Sequence, residues 1–231
     1  MKRGVTKPRS FAVGVLMWGL LSAALGIGLG TGCRIATLRF VAPDETAFQR
    51  ESARRLGRPA VKRWLDLDDI DQDVVRAVLA AEDQRFYRHS GFDRHELSLA
   101  LQDALRGKRL RGASTLSQQL AKNLYLSGDR SLTRKLKEAG YTLLLELILS
   151  KERILELYMN EVAFGPDVYG VEAGAQHHFG CSAADLSLEQ AAQLAAVLPA
   201  PHRRRPGVGG AYDERVEWIM ERMRDPRLSR R

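Results

Sequence analysis

Apolar side chains recur at helical spacing along most of the chain beyond residue 70. Positions three and four residues apart fall on the same face of an α-helix, so this spacing predicts a mainly α-helical domain. No segment shows the strict alternation that predicts a β-strand. The clearest stripes are formed by Val74, Val75, Val78, Leu79 and Phe86, and by Leu97, Leu101 and Leu105.

Capping residues and a proline mark where these helices begin and end. Helix starts are predicted at Asp93, Ser131, Ser182 and Ser187. The last two have Asp185 and Gln190 three residues on, the arrangement of a capping box. The helix that follows Ser187 is predicted to end before Pro199, and a last short amphipathic helix is predicted over residues 214–223.

Near the N-terminus the apolar residues form a continuous run instead of recurring at helical spacing. Residues 11–33 contain no charged side chain, and at ~1.5 Å per residue they span a bilayer core of roughly 30 Å. The segment is predicted to be a transmembrane helix. Basic residues precede it at positions 2, 3, 7 and 9 and follow it closely only at 34 and 39, which predicts a cytoplasmic N-terminus. The alternatives are a cleaved signal peptide, whose apolar region is usually shorter, and a lipoprotein cleavage site at the sequence GTGC.

These patterns divide the chain into five segments. Residues 34–60 are polar and interrupted by Pro43, Gly57 and Pro59, as in a juxtamembrane stalk. The predicted order is a cytoplasmic basic N-terminus (1–10), a transmembrane helix (11–33), the stalk (34–60), a helical domain (61–201) and a basic C-terminal tail (202–231).

Composition and charge argue against several classes of protein. The chain has 231 residues, of which 45% are hydrophobic, enough for one domain with its own core. The formal net charge of +8 is concentrated at the two ends of the chain, which argues against a nucleic-acid-binding domain. Two cysteines exclude a disulfide scaffold, and no cysteine or histidine grouping has zinc-site spacing.

The first candidate catalytic residue is Glu82, which directly follows the apolar run VVRAVLAA. A carboxylate that follows a buried helix can lie at a cleft and be partly desolvated, which raises its pKa and suits it to act as a general base. The alternative is a solvated helix glutamate.

A second cluster combines hydroxyl groups and cations. Ser114 and Thr115 follow a glycine turn and precede a predicted helix, whose N-terminus favours anions. The basic side chains that follow are enough to hold a diphosphate, although a solvated basic face is the competing interpretation. They are Lys122, Arg130, Arg134, Lys135 and Lys137.

Five motifs occur in order: EDQRFYRHSGFD, RGASTLSQQLAKNLYLS, RSLTRKLKEA, KERILELYMNEVAFG and GVEAGAQHHFG. Across residues 60–201 the chain resembles the monofunctional biosynthetic peptidoglycan transglycosylases, the stand-alone relatives of the glycosyltransferase domain of bifunctional penicillin-binding proteins. The resemblance implies a lysozyme-like, mainly α-helical domain with a small membrane-facing jaw. That domain would polymerise lipid II into β-1,4-linked glycan strands on the outer face of the cytoplasmic (inner) membrane, inverting the donor anomeric carbon and releasing undecaprenyl pyrophosphate.

The resemblance also implies roles for individual residues. Glu82 would be the general base, and Glu138 the second acidic residue. Lys122 and Arg130 would bind phosphate, with Arg134 and Lys135 in support. Cleft-lining positions match Ser114, Thr115, Gln118, Gln119 and Asn123. The resemblance implies that the enzyme requires no cofactor. It allows a divalent cation, Mg or Mn, at the diphosphate. The implied partners are lipid II, the growing glycan strand, the membrane and other cell-wall synthesis proteins.

Two departures from the family pattern fall in the fifth motif, where His178 replaces the usual tyrosine and Gln176 a more usual basic residue. The chain has no Ser followed three residues on by Lys and no Lys-Thr-Gly, so no transpeptidase is predicted. Two other function classes stay open: a lytic enzyme on the same fold, and a catalytically idle scaffold that binds other wall-synthesis proteins.

Overall fold

The structure is a computed structural model that describes residues 18, 22, 26, 28, 30–107, 114–126, 128 and 131–228. It divides into two compact units, Met1–Val41 and Ala42–Arg231. In the first unit residues 31–37 are helical. Most of the predicted transmembrane segment, residues 11–33, lies outside the described residues. No helix within the described residues has both the length and the hydropathy of a membrane span.

The second unit is mainly α-helical, as the apolar spacing predicts. Short 3-10 helices occur at Leu67–Asp69, Phe86–Arg88 and Pro226–Leu228. The α-helices are α1 (Ala47–Leu56), α2 (Gln72–Glu82), α3 (Arg94–Leu105), α4 (Leu116–Tyr125), α5 (Leu132–Ile148), α6 (Lys151–Glu161), α7 (Val171–Phe179), α8 (Leu188–Val197) and α9 (Gly210–Met223).

Side-chain caps fix several of the helix starts. Thr115 and Ser187 each accept a hydrogen bond from the third residue of the following helix and complete a capping box with Gln118 and Gln190. Asp93 caps α3, as predicted. The predicted start at Ser182 is wrong: its hydroxyl accepts from Ala184 N in a turn, and the next helix begins after Ser187.

The helices pack as two groups that meet around the first motif. In one group α2 packs against α8 and α9, and in the other α4 packs against α5 and α6. Phe86 and Tyr158 are among the largest fully buried side chains. The C-terminal end of α2 and the N-terminal end of α4 are joined directly, because Leu116 N donates to Asp83 Oδ2 at 3.0 Å. Glu82 therefore lies where the two groups meet.

A pair of two-residue strands was not predicted. Strand β1 (Val61–Lys62) pairs in parallel with β2 (Val168–Tyr169), with Val61 opposite Val168. Neither segment is long enough to show alternation, so the sequence carries no strand signal there. Gly170 follows β2 with φ +83°, and a Cβ at that position would lie 2.8 Å from Asn160 O, so only glycine fits without strain.

The compact unit is larger than the segment 61–201. Helix α1 lies in the predicted stalk, yet Gln49 Nε2 donates to the buried Glu161 Oε2 at 2.7 Å. Helix α9 lies in the predicted tail, yet it packs on α2 and α8, and Tyr212 donates to Gln193 O at 2.6 Å. Polar contacts between residues far apart in sequence include both segments in the fold, and the local polarity of these segments does not reveal such contacts.

Candidate active site

Glu82 is the last residue of α2, and its side chain is only 13% exposed. Gln119 Nε2 donates to Oε2 at 2.9 Å, and Arg215 Nη2 donates to Oε1 at 3.1 Å. Tyr158 donates from its hydroxyl to Gln119 Oε1 at 3.1 Å, which orients the amide. Both carboxylate oxygens are therefore held in defined directions.

The surroundings of Glu82 set its proton affinity. Burial raises the pKa of the Glu82 carboxylate, and the Gln119 hydrogen bond and the Arg215 charge lower it in part. A buried carboxylate with a raised pKa accepts a proton more readily than a solvated one. The partly desolvated environment expected for Glu82 is confirmed, and the group is suited to act as a general base.

The turn that follows Glu82 is held by buried polar contacts. His89 Nε2 lies 3.0 Å from Asp83 Oδ1, and Asp83 Oδ2 accepts from Leu116 N. Thr115 donates its hydroxyl proton to Gly91 O at 2.7 Å. The contacts tie the first motif to the start of α4, so Asp83 and His89 support the turn that follows Glu82.

A cavity of about 390 Å³ opens beside Glu82. Ser114 and Thr115 line it on the side of α4, and α9 supplies Arg215, Trp218 and Arg222 on another side. Arg222 lies over the Trp218 ring, with its guanidinium carbon 3.7 Å from the ring centroid. The site is therefore built from both groups of helices.

Lys122 lies one turn beyond Gln119 on α4. Burial lowers the pKa of Lys122, and the Glu138 and Glu82 carboxylates both oppose that change. Lys122 is therefore a half-buried cation within electrostatic reach of both carboxylates. Two other cations contact buried Glu138: Arg134 Nη1 donates to Oε2 at 2.8 Å, and Lys135 Nζ donates to Oε1.

The remaining predicted residues fall into different places. Gln118 is buried and completes the capping box instead of facing the cavity, and Asn123 is buried in α4. Ser114 is exposed. Arg130 lies outside the described residues. Four of the predicted site residues come together: Glu82 of α2, Gln119 and Lys122 of α4, and Glu138 of α5.

The acidic groups that could hold a divalent cation already have partners among the described residues. Both oxygens of Glu138 already accept from cationic side chains. Asp83, His89 and Asp93 bring ligand atoms within 4.8 Å of one another, but Asp83 accepts from Leu116 N and Asp93 caps α3.

Sequence reasoning missed Arg215. It lies 133 residues from Glu82 in sequence, on a helix whose local pattern is that of an ordinary amphipathic surface helix. Trp218 and Arg222 were missed for the same reason. Only the packing of α9 on α2 brings these side chains to the cavity.

The fold and this cleft bring one desolvated carboxylate, Glu82, close to a group of half-buried cations. The family model described as Transglycosylase matches residues 49–224. The chain belongs to the transglycosylase family. A protein of Shewanella oneidensis named biosynthetic peptidoglycan transglycosylase is 44% identical over 214 residues, which cover 91% of each chain.

Two further relatives carry the same name. That of Aeromonas hydrophila is 46% identical over 214 residues, covering 90% of each chain. That of Alcanivorax borkumensis is 47% identical over 183 residues, covering 78% of this chain and 74% of the relative. The family model runs from the third residue of α1 to just beyond the end of α9, so most of the stalk helix and all of the C-terminal helix belong to the family domain.

Proposed function

We propose that this protein is a peptidoglycan glycosyltransferase that polymerises lipid II into glycan strands, with Glu82 as its general base. The observation that carries the proposal is the Glu82 carboxylate, desolvated, raised in pKa and held by Gln119 and Arg215 at the wall of a cavity. Family membership and the name shared by the relatives support the substrate class.

In the proposed reaction Glu82 accepts the proton of the 4-hydroxyl of the acceptor N-acetylglucosamine. The acceptor oxygen forms a bond to C1 of the donor N-acetylmuramic acid while the bond from C1 to the diphosphate oxygen breaks. Attack from the face opposite the leaving group converts the α-linkage into a β-1,4-linkage. The electron pair leaves with undecaprenyl pyrophosphate, and the proton on Glu82 is then released to solvent.

The leaving group needs positive charge nearby because negative charge develops on its bridging oxygen. Lys122 is the best-placed cation, since it is half-buried and within electrostatic reach of Glu82. A buried cation acts in a lower dielectric than a solvated one and stabilises developing charge more strongly. Arg130, Arg134 and Lys135 are proposed to add charge, while Glu138 positions the last two through its hydrogen bonds.

The same proposal places the protein at the membrane. Lipid II is held in a bilayer, and the uncharged segment 11–33 is long enough to hold the enzyme there. The excess of basic residues before this segment supports a cytoplasmic N-terminus and a catalytic unit on the outer side of the cytoplasmic membrane. Tethering enzyme and substrate to one surface raises their effective concentration.

The test is the product formed by the purified full-length protein. Incubated with lipid II in detergent or vesicles, the protein should give glycan strands that lengthen with time, together with undecaprenyl pyrophosphate. Incubated with isolated sacculi, it should release no fragments. Shortened sacculi without polymerised lipid II would indicate a lytic enzyme, and no reaction in either assay would indicate a scaffold.

A further inference from the structure

A second cavity, of about 530 Å³, lies next to the one that contains Glu82. The two cavities share Arg85 and Asp93 in their linings. We call the second one the basic cavity, after five lining residues that are arginine or histidine: Arg85, Arg88, His89, Arg94 and His95.

The basic cavity has an excess of positive charge. Its acidic lining residue, Asp93, accepts from His95 N at 2.9 Å, and its Oδ2 lies 3.1 Å from Arg85 Nε. Arg88 and Arg94 are exposed, and neither forms an ion pair within the part of the chain that the structure describes. Two unpaired guanidinium groups at one cavity favour a ligand with several anionic oxygens, because a guanidinium binds phosphate through paired hydrogen bonds.

Apolar side chains adjoin these cations. Phe92 and Leu143 line the basic cavity itself. Along α3, which begins at this cavity, Leu97, Leu101 and Leu105 are all at least 60% exposed and lie on one face. Cations beside exposed leucines are the arrangement that suits a phosphate attached to a lipid, where the anionic group lies at the edge of an apolar layer.

The proposed reaction requires two diphosphates at once. The donor carries one on its reducing end, assigned above to Lys122 and the cations around Glu138. The acceptor lipid II carries another, one disaccharide away from the 4-hydroxyl that Glu82 deprotonates. The second diphosphate needs its own cations, because a single cluster cannot neutralise both diphosphates while the donor C1 and the acceptor 4-hydroxyl approach each other.

We infer that the basic cavity binds the diphosphate of the acceptor lipid II, with Arg88 and Arg94 as its principal contacts. The inference rests on the proposed function and specifies the acceptor side of the same site. The acceptor would run from Glu82 through the first cavity, past Arg85, to the basic cavity. Arg85 lines both cavities and therefore lies along this path.

The experiment is a single-addition assay with the full-length protein, in which donor and acceptor are different molecules. The donor is a lipid-linked glycan whose terminal 4-hydroxyl is blocked. Two acceptors are compared, neither of which can act as a donor. One carries a lipid diphosphate through a non-cleavable C-glycosidic phosphonate, and the other carries a neutral alkyl chain on the same disaccharide peptide.

The wild-type enzyme should prefer the charged acceptor, and the double variant Arg88→Ala/Arg94→Ala should lose that preference. Loss of two charge-assisted contacts predicts a fall of about tenfold or more in the ratio of kcat/KM for the two acceptors. The matched control is Arg54→Ala/Arg63→Ala, which removes two exposed arginines from other segments of the compact unit. Its acceptor preference should equal that of the wild type.

Two results would overturn the inference. An unchanged acceptor preference in the double variant would mean that Arg88 and Arg94 do not contact the diphosphate. A fall in binding to phosphatidylglycerol vesicles, with acceptor preference intact, would mean that the cavity binds phospholipid headgroups instead. Absence of glycan transfer by the wild type to either acceptor would instead contradict the proposed function itself, so the two failures are distinguishable.

Discussion

At the scale of single residues, the central feature is a carboxylate whose pKa is set by opposing influences. Burial raises the pKa of Glu82, and the Arg215 guanidinium 3.1 Å away lowers it. Glu82 must be ionised to accept a proton, so the enzyme loses activity as the pH falls through this pKa. Arg215 thereby extends the working range of the base to lower pH.

Replacement of Arg215 tests this role. Arg215→Ala removes a positive charge next to Glu82, so the pKa of Glu82 rises further and the acidic limb of the kcat/KM profile moves to higher pH. Arg215→Lys should keep the limb close to that of the wild type, because the charge is retained. The measurement is the rate of lipid II polymerisation as a function of pH. An acidic limb that stays in place in Arg215→Ala would show that the ion pair does not tune the base.

Lys122 carries the second residue-level prediction. Lys122→Ala should cost about 2–4 kcal/mol of transition-state stabilisation, as for other preorganised charges at a developing anion. Arg130→Ala should weaken use of the diphosphate donor in the same direction. The control is Arg54→Ala, which removes an exposed cation from α1 and should stay within severalfold of the wild type. Equal effects at positions 122 and 54 would mean that Lys122 belongs to a solvated basic face.

Site residues that lie in continuous motifs could be predicted from the sequence. Site residues that only helix packing brings to the cleft could not. Glu82 and Lys122 lie in continuous motifs, and the apolar run before Glu82 predicts its burial. Arg215 lies in a segment with no distinguishing pattern, and its contact with Glu82 forms only when α9 packs on α2. Gln118 was matched to the cleft, but its amide completes a cap, which a residue-by-residue match does not distinguish.

At the scale of secondary-structure elements, the N-terminus of α4 determines the placement of Gln119 and Lys122. Thr115 has two roles there, since its side chain accepts from Gln118 N and donates to Gly91 O. It connects α4, which carries Gln119 and Lys122, to the turn that follows Glu82.

Two alanine substitutions compare this cap with an ordinary one. Thr115→Ala removes a cap and leaves a buried carbonyl without its donor, a loss of about 2 kcal/mol or more in the free energy of unfolding. Ser187→Ala removes only the cap of α8 and should cost about 1 kcal/mol. Denaturant unfolding of both variants measures the difference. Equal losses would contradict the second role of Thr115.

Helix positions were predictable because period and caps are local signals. The caps at Asp93, Ser131 and Ser187 are confirmed, and α8 ends before Pro199 as expected. Ser182 has the sequence of a capping box without the helix, because its hydroxyl and backbone are used in a turn. Helix α9 begins at Gly210, four residues before the predicted start, since glycine gives little local signal for a helix start.

At the scale of the whole molecule, the unit Ala42–Arg231 contains all the described residues that line the cleft. The predicted domain ended before α9, which supplies Arg215 to the site. Its N-terminal boundary also omitted α1, which is attached by the contact between Gln49 and Glu161. Both differences between the predicted domain and the compact unit have one cause, because polar segments that lie on a core through a few long-range contacts look like linkers in sequence.

Deletion of residues 1–33 separates the catalytic unit from its proposed anchor. The truncated protein keeps all of the compact unit, so it should fold with an unfolding midpoint close to that of the full chain. Its rate should fall on lipid II in bilayers and stay near that of the full chain on short-chain soluble analogues, because tethering helps only with a membrane-held substrate. Equal ratios of truncated to full-length rates on the two substrates would contradict a role for the segment in catalysis.

The most direct test of the account is lipid II polymerisation by the wild type and Glu82→Gln, side by side. The substitution keeps the size of the side chain and removes the proton-accepting charge, so glycan formation should fall by at least ~10²-fold while the unfolding midpoint stays close to that of the wild type. Glu189→Gln, at an exposed position on α8, is the matched control and should polymerise like the wild type. A Glu82→Gln enzyme with activity near that of the wild type would contradict the assignment of the general base.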